Sequence, residues 1–344
     1  MCCLASAVPI GTRPDVPVAA TQMCAECAHT AQHERGTRCA LEPNCVAHRK
    51  ISPPLTSKKL RIMPSKRLSR ILQLSDLHFG PPYVSDVGEA TLRIAPKLQA
   101  DVIVVSGDFT QRAKRKQFED AKHFLDELPD APRVYVPGNH DVPLYRVGER
   151  MRNPLGLYRE FICDDLNPVH PFKHVIFVCF DSTAPRSAIS NGRIHQWQLD
   201  KAEKTFAAAP RNALKVVVAH HHFAPAPDYL IDRAMPQARR AMTRFVEHEV
   251  DLILGGHLHR AFIGNSLDFY PGLNRHRGIV IVQSGTTTSR RGRGREREKN
   301  SFNVVDVYSD RMEITHFLFF DDDAGFVPSS KHIFPRGTRA LRTC

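Results

Sequence analysis

The chain has 344 residues, of which 42% are hydrophobic and 24% charged, a composition typical of a globular protein with a substantial core. No apolar run approaches the roughly 20 residues that a membrane-spanning helix needs, and no hydrophobic stretch of the signal-peptide type begins the sequence. We therefore expect a cytoplasmic protein without a membrane partner.

The formal net charge is +12, which would attract phosphate groups, but the excess is unevenly spread. Residues 1–62 hold eight Lys or Arg against four acids, and a second basic run spans Arg290–Lys299. The second run is either a solvated loop or an anion-attracting rim beside a site. Neither interpretation requires nucleic acid, so we do not expect nucleic acid as a partner.

Residues 1–64 lack helical or alternating periodicity, and we interpret them as a disordered leader; alternatively, the cellular protein starts at Met63. Six of the nine cysteines lie in the first 45 residues. Four of these, spaced Cys-x2-Cys-x11-Cys-x5-Cys from Cys24 to Cys45, raise the alternative of a zinc site, although the second pair lacks close spacing. Cys179 is expected to be a buried free thiol, and no disulfide framework is expected.

After Arg70, short apolar runs alternate with amphipathic stretches. Strands are predicted at Ile71–Leu74, Val102–Val105, Val134–Val136, Val175–Phe180, Leu214–Ala219, Leu252–Leu254 and Ile279–Val282. Helices are predicted near residues 85–99, 115–128, 145–163, 195–209 and 234–249. This alternation predicts an α/β domain with a largely parallel sheet over residues 65–322, followed by a C-terminal tail at 323–344.

Five of the predicted strands are followed within three residues by Asp, His or Asn. In chain order these are Asp76 with His78, Asp108, Asn139, the run His220–His222, and His257 with His259. Each motif alone suits a turn or a core histidine. Together they indicate a site, because open α/β sheets form binding crevices at the carboxyl ends of their strands and turns do not require metal-ligand residue types.

Seven side chains, two carboxylates, four imidazoles and one amide, are the candidate metal ligands: Asp76, His78, Asp108, Asn139, His220, His257 and His259. Two divalent cations there would leave a formal charge of about +2, which suits a phosphate or phosphodiester. In both the Asp-Leu-His and the His-Leu-His segments, an extended backbone would place the two ligands on one side. The glycines before Asp108, Asn139 and His257 would permit sharp turns and close approach of the backbone.

These motifs, in this order, closely resemble those of the calcineurin-like metallophosphoesterases over roughly residues 69–320. The resemblance implies a four-layer α/β/β/α sandwich with a dinuclear metal centre. It assigns the ligands to two ions, one held by Asp76, His78 and His259, the other by Asn139, His220 and His257, with Asp108 bridging both. The mixed nitrogen and oxygen ligands suit Mn, Fe, Zn or Co.

The same resemblance gives His140 a catalytic role, in contacting a phosphoryl oxygen or protonating the leaving alkoxide. Asp141 would orient the His140 imidazole and raise its pKa, or else cap the following turn. The implied mechanism is in-line attack of a metal-bridging hydroxide on phosphorus. Of the three consecutive histidines, His220 is favoured as the ligand because it comes first after the strand, and His221 or His222 would contact substrate.

The histidine run and the Gly-Asn-His-Asp motif at Gly138–Asp141 look most like the bacterial class III cyclic-nucleotide phosphodiesterases, which predicts a small phosphodiester as substrate. A phosphomonoesterase or nuclease acting at the same site is the alternative. Further alternatives are a metal-free scaffold of the same fold and a zinc-dependent nucleic-acid-binding protein. Asn191–Trp197 and Arg290–Lys299 are candidate specificity elements, although His195 and Trp197 also suit a helix start and a core or interface aromatic.

Overall fold

Twelve strands and six α-helices form the described part of the chain in the computed structural model, which covers residues 65–172, 174–187, 191–225, 233–272, 278–321 and 324–336. The strands are β1 (Ser69–Leu74), β2 (Val102–Val105), β3 (Arg133–Tyr135), β4 (Val169–Pro171), β5 (Val175–Phe180), β6 (Leu214–Ala219), β7 (Leu252–Gly255), β8 (Phe262–Asn265), β9 (Val280–Gln283), β10 (Ser301–Val307), β11 (Arg311–Phe320) and β12 (Gly325–Pro335). The helices are α1 (Ser85–Leu98), α2 (Arg115–Glu127), α3 (Val147–Arg152), α4 (Gly156–Phe161), α5 (Gln196–Ala208) and α6 (Ala238–Glu247).

The strands belong to two six-stranded sheets. The first has the order β12-β11-β10-β1-β2-β3, and the second has the order β4-β5-β6-β7-β9-β8. In the first sheet, β1, β2 and β3 are parallel, whereas β10, β11 and β12 run antiparallel to their neighbours. In the second sheet, β5, β6, β7 and β9 are parallel, and β4 and β8 are antiparallel edge strands.

The sheets pack face to face, and helices cover their outer faces. In β2, Val102 and Val104 contribute to the core between the sheets, while Ile103 and Val105 contribute to the core beneath α1 and α2. This partition follows from the two-residue period of a strand, which sends successive side chains to opposite faces. A third core joins the second sheet to α5 and α6. The four layers therefore confirm the expected α/β/β/α sandwich.

All seven strands predicted from apolar runs are present, but the apolar pattern predicted one sheet rather than two. It missed the antiparallel strands β4, β8, β10, β11 and β12. In β11, polar and apolar residues alternate over residues 311–316, and the four apolar residues that follow, at 317–320, are partly exposed, so the strand does not show the buried apolar run used for the prediction. The expected tail at 323–344 is corrected in part, because Gly325–Pro335 forms β12 and pairs with β11.

The helix predicted near 145–163 is two short helices, α3 and α4. The chain leaves the helical conformation at Asn153, which precedes Pro154, and proline disfavours a helical residue before it. Cys179 is buried and free, as expected. None of the helices in the described segments is long and apolar enough to cross a bilayer. The leader and the cysteine-rich segment predicted within residues 1–64 lie outside the described residues.

Candidate metal centre

The carboxyl ends of strands from both sheets converge at one place. The first sheet delivers its ligands after β1, β2 and β3, and the second after β6 and β7. Five of the seven predicted ligands are buried and two are half-buried; the buried ones are Asp76, His78, Asp108, His220 and His259. The structure therefore brings together all of the ligand positions predicted from the sequence.

One group of ligands lies around Asp76. Single ligand atoms of Asp76, His78, Asp108 and His259 all lie within 4.8 Å of one another. The Nε2 atoms of His78 and His259 are 3.0 Å apart, and His259 Nε2 is 3.1 Å from Asp76 Oδ1. Ligand atoms at about 2.0–2.2 Å from one cation and roughly at right angles lie about 3 Å apart. These separations fit atoms that share a metal ion.

A second group of polar atoms surrounds Asn139 Oδ1. His257 Nδ1 is 2.9 Å from this oxygen, and His220 Nε2 is 3.2 Å from it. His220 Nε2 is also 3.3 Å from Asp108 Oδ2, which lies 3.6 Å from His78 Nε2. Asp108 therefore faces both groups.

The three consecutive histidines are distinguished by their contacts. His220 is the one whose ring reaches Asp108 and Asn139. His221 Nδ1 instead lies 2.9 Å from Ser182 Oγ, and the ring of His221 packs against that of His257 with 4.6 Å between centroids. His222 lines the cavity in front of the site. Of the three, His220 is therefore the one whose ring lies among the other predicted ligands.

Backbone carbonyls orient two of the ligand rings. His220 Nδ1 is 2.8 Å from the Ser106 carbonyl oxygen, and His259 Nδ1 is 3.1 Å from that of Arg291. Each Nδ1–H donates to its carbonyl, so Nε2 is the ring atom that faces the other predicted ligands. Such outer hydrogen bonds hold metal-binding histidines in one tautomer and orientation.

The backbone at the ligands is not the extended segment that the sequence spacing suggested. Asp76, His78, Asp108, His257 and His259 have φ angles of 52°, 51°, 57°, 75° and 53°. This left-handed region is uncommon for residues with a side chain and costs on the order of 1–3 kcal/mol per residue. The shared direction of each ligand pair therefore comes from two left-handed residues separated by a leucine, not from strand pleating.

The glycines before the predicted ligands matter mainly because neighbouring atoms approach their backbone closely. Gly107 does have a positive φ of 98°, as a sharp turn requires. Gly138 and Gly256 do not, but a Cβ atom at Gly138 would collide with Asp108 Oδ1, and one at Gly256 would collide with Ser75 Oγ. Their lack of a side chain is what allows the loops to pack around the two carboxylates.

Burial and neighbouring charge shift the pKa values of the buried carboxylates and rings in different directions. Burial alone would raise the pKa of Asp76, but the nearby rings of His259 and His78 outweigh it and hold that pKa far below its usual range. Burial lowers the pKa of His78 to about 3. For His220, the negative charge of Asp108 outweighs burial and raises the pKa to about 9.

The chemistry of these side chains fits divalent cations. Asp108 Oδ2 is buried without a hydrogen-bond partner among the described residues, and the Nε2 atoms of His78 and His259 face each other. Buried polar atoms are almost always hydrogen-bonded, so an oxygen left without a donor beside two facing imidazole nitrogens suits a positive charge between them.

His140 and Asp141 make hydrogen bonds with different partners. The His140 amide donates to Asp108 Oδ1 over 2.8 Å, and His140 Nδ1 donates to the Gln111 carbonyl over 2.9 Å. Asp141 accepts from the Gly138 amide over 2.9 Å and from the Thr110 amide over 3.0 Å. The predicted orientation of His140 by Asp141 is therefore wrong: the Gln111 carbonyl orients the ring, and burial lowers its pKa rather than raising it. Asp141 braces the turn at Gly138–Asp141 and the loop at Thr110, whereas the other expectation was a cap on the turn that follows.

Two cavities open at the site. The larger, about 610 Å³, is lined among the described residues by Asp108, Asn139, His140, Asn191, His222, Arg233, Ala234, Pro236, His257, Leu258, His259, Arg291 and Arg293. The smaller, about 430 Å³, is lined by Gln111, Arg112, Asn139, His140, Val142, Leu144, Arg150 and Ser187. Both include Asn139 and His140, which therefore stand at the junction.

The residues of the two predicted specificity elements line different cavities. Arg291, Arg293 and Asn191 line the larger cavity, whereas His195 and Trp197 line a separate one. Trp197 is 53% exposed, so it is not a core residue. Sequence reasoning missed Arg233 and Gln111. No spacing signals Arg233, and the part of Gln111 that meets His140 is a main-chain carbonyl, which residue type does not reveal.

Comparison with known proteins identifies the family. Residues 69–261 match the model of the calcineurin-like phosphoesterases, which is more than half of the chain. The chain belongs to this family. Four of its buried side chains, Asp76, His78, Asp108 and His259, could together hold a metal ion. No curated protein matches the chain significantly.

Solved structures with the same fold are distant in sequence. A purple acid phosphatase from yellow lupin (Lupinus luteus) seeds has a TM-score of 0.61 at 12% identity, over 80% of this chain and 55% of that one. The present chain thus spans about half the length of the lupin enzyme. A dimetal phosphatase from Danio rerio has a TM-score of 0.51 at 13% identity, over 78% of this chain and 99% of that one. GAP50, described as the anchor in the inner membrane complex of Plasmodium, has a TM-score of 0.51 at 14% identity, over 79% and 90%.

Proposed function

We propose that the chain is a dinuclear-metal phosphodiesterase that hydrolyses small phosphodiesters, cyclic nucleotides among them. The observation that carries this proposal is the pair of cavities meeting at Asn139 and His140. In an open-chain phosphodiester a separate organic group is attached through each of two ester oxygens, whereas in a cyclic nucleotide both ester oxygens belong to one sugar, so the pair of cavities favours open-chain diesters. If the phosphorus atom is held at the junction, each of the two organic groups can occupy one cavity. A monoester has a single organic group and would occupy only one cavity.

The proposed ligand set is the one expected from the sequence. Asp76, His78 and His259 would hold one ion, Asn139, His220 and His257 would hold the other, and Asp108 would be shared. Bound cations would polarise the phosphoryl oxygens and lower the pKa of water towards neutrality. The two carboxylates leave such ions with a net positive charge, which favours an anionic ester.

The chain's own residues complete the reaction. Hydrolysis forms a bond from a water oxygen to phosphorus, breaks one ester bond, and returns a proton to the leaving alkoxide. Since His140 Nδ1 is engaged by Gln111, Nε2 is the nitrogen that exchanges a proton with the ester. Arg291 and Arg293, with Arg233, give the larger cavity a positive wall that binds the anionic part of the substrate.

A substrate panel tests the proposal. The metal-loaded protein is assayed with bis-p-nitrophenyl phosphate, p-nitrophenyl phosphate, cyclic AMP and single-stranded DNA. We expect faster turnover of the small diesters than of the monoester or the DNA. Turnover of the monoester alone would overturn the diesterase assignment and favour a phosphomonoesterase; the lupin and Danio rerio proteins of the same fold are phosphatases.

A metal-free scaffold is the remaining alternative, since the anchor GAP50 shares the fold. The filled ligand positions argue against it: Asp108 Oδ2 has no hydrogen-bond donor, and a binding protein that needs no cation gains nothing from that arrangement. Metal analysis of the purified protein, together with the substrate panel, separates the two.

A further inference from the structure

We infer that the smaller cavity, of about 430 Å³, is the subsite for an apolar substituent of the phosphoester that carries a hydrogen-bond acceptor. This inference rests on the proposed function, because it assigns one of the two ester groups to a named place. The volume lies within the range of about 300–1,000 Å³ that small-molecule sites occupy. It accommodates a single ring or a short chain.

The walls of the two cavities differ in chemistry. The larger cavity presents the guanidinium groups of Arg233, Arg291 and Arg293. The smaller cavity is lined by two arginines, Arg112 and Arg150, but its exposed surface is mostly apolar, with a wall formed by Val142, which is buried, and Leu144, which is half-buried. Apolar surface of this kind stabilises a bound hydrocarbon by roughly 25 cal/mol per Å² of area removed from water. The smaller cavity therefore favours the less polar of the two ester groups.

Arg150 supplies a donor in the same cavity. Its Nε atom is buried without a hydrogen-bond partner among the described residues, while its Nη1 atom donates to the Leu144 carbonyl over 3.4 Å. A buried donor without an acceptor is costly, and a ligand oxygen or ring nitrogen would satisfy it. This is why the substituent is expected to carry an acceptor.

The cavity also has an apolar rim. Tyr145 is 76% exposed, and the guanidinium carbon of Arg112, a lining residue, lies 5.6 Å from its ring centroid. An exposed aromatic side chain held by a cation beside a cavity extends the surface on which a planar group can stack.

Two phosphonates that differ only in their organic group test the subsite. Binding of phenylphosphonate and methylphosphonate to the metal-loaded protein is measured by calorimetry, which does not depend on turnover. We expect phenylphosphonate to bind at least about tenfold more tightly. In Leu144→Asn we expect this preference to fall several-fold, whereas Val147→Asn should retain it, since Val147 is 56% exposed on the adjoining helix and does not line the cavity.

An unchanged preference in Leu144→Asn would overturn the inference, because the phenyl group would then bind elsewhere. If Leu144→Asn does not fold, Arg150→Met gives a second test: it should weaken 4-nitrophenylphosphonate more than phenylphosphonate, and equal weakening would count against the donor role of Arg150. The proposed function fails separately, if the diesters in the substrate panel are not hydrolysed while the phosphonate preference persists.

Discussion

Asp108 is the residue that connects the two groups of ligands. Its Oδ2 atom faces His78 and His220, and its Oδ1 atom accepts the amide of His140. We predict that Asp108→Ala lowers kcat/KM by at least about 100-fold, because it removes the charge that both groups share. Kinetic assay and metal analysis by mass spectrometry measure the loss.

The matched control for this prediction is Asp86→Ala, in which an exposed carboxylate in the first turn of α1 is removed. This variant should keep its activity and its metal content. Full phosphoesterase activity in Asp108→Ala would contradict the dinuclear assignment.

At the scale of single residues, the sequence indicated which side chains are candidate ligands but not the direction in which each side chain points. Asp, His and Asn after a strand could be recognised as ligands because their chemistry is local to each residue. The choice among His220, His221 and His222 depends on how β6 is rotated against β2, which only the folded sheets determine. The left-handed backbone at Asp76 and His259 could not be predicted either, because two predicted ligands separated by one leucine are equally compatible with an extended chain.

At the scale of elements, the turn after β3 depends on Gly138. A Cβ atom there would collide with Asp108 Oδ1 and its backbone amide. We predict that Gly138→Ala displaces the Asp108 carboxylate and lowers kcat/KM by at least about tenfold. Gly148→Ala is the control, because a Cβ at that helical position meets nothing within 4 Å and alanine favours a helix. Equal activity of the two variants would show that the turn can relax.

The strand β12 gives a second prediction for an element. Phe326 is 5% exposed and packs on Phe302 with 4.7 Å between ring centroids. We predict that Phe326→Ala lowers the free energy of unfolding by about 3–5 kcal/mol, measured by urea denaturation. Ile333→Ala, on the same strand but 60% exposed, should change it by less than about 0.5 kcal/mol. Similar values for both variants would mean that β12 adds little to the core.

Elements were predictable where burial on both faces leaves a run of apolar residues. β5 and β6 are buried along their whole length, and their bounds were predicted as they are found. β11 and β12 were missed because their residues alternate or face solvent, and the pairing that makes them strands comes from residues distant in sequence.

At the scale of the whole molecule, the site draws ligands from both sheets, so bound ions should stabilise their association. We predict that dialysis against a chelator abolishes turnover and lowers the melting temperature, and that a divalent metal restores both. Binding at about 100 times the dissociation constant adds about 2.7 kcal/mol to the stability. Differential scanning calorimetry measures the shift. Asp108→Ala should show a much smaller shift, and an equal one would place the stabilising ions elsewhere.

At the left-handed residues of the site, the requirements of function and of thermal stability differ. Asp76, His78, Asp108, His257 and His259 hold a conformation that glycine or asparagine adopts more readily. Replacing one of them by glycine would release local strain but would also remove a predicted ligand and the stability that a bound ion adds. A laboratory selection for heat resistance in the absence of metal would therefore tend to remove these side chains, whereas a selection with metal present, or one that demands turnover, would preserve them.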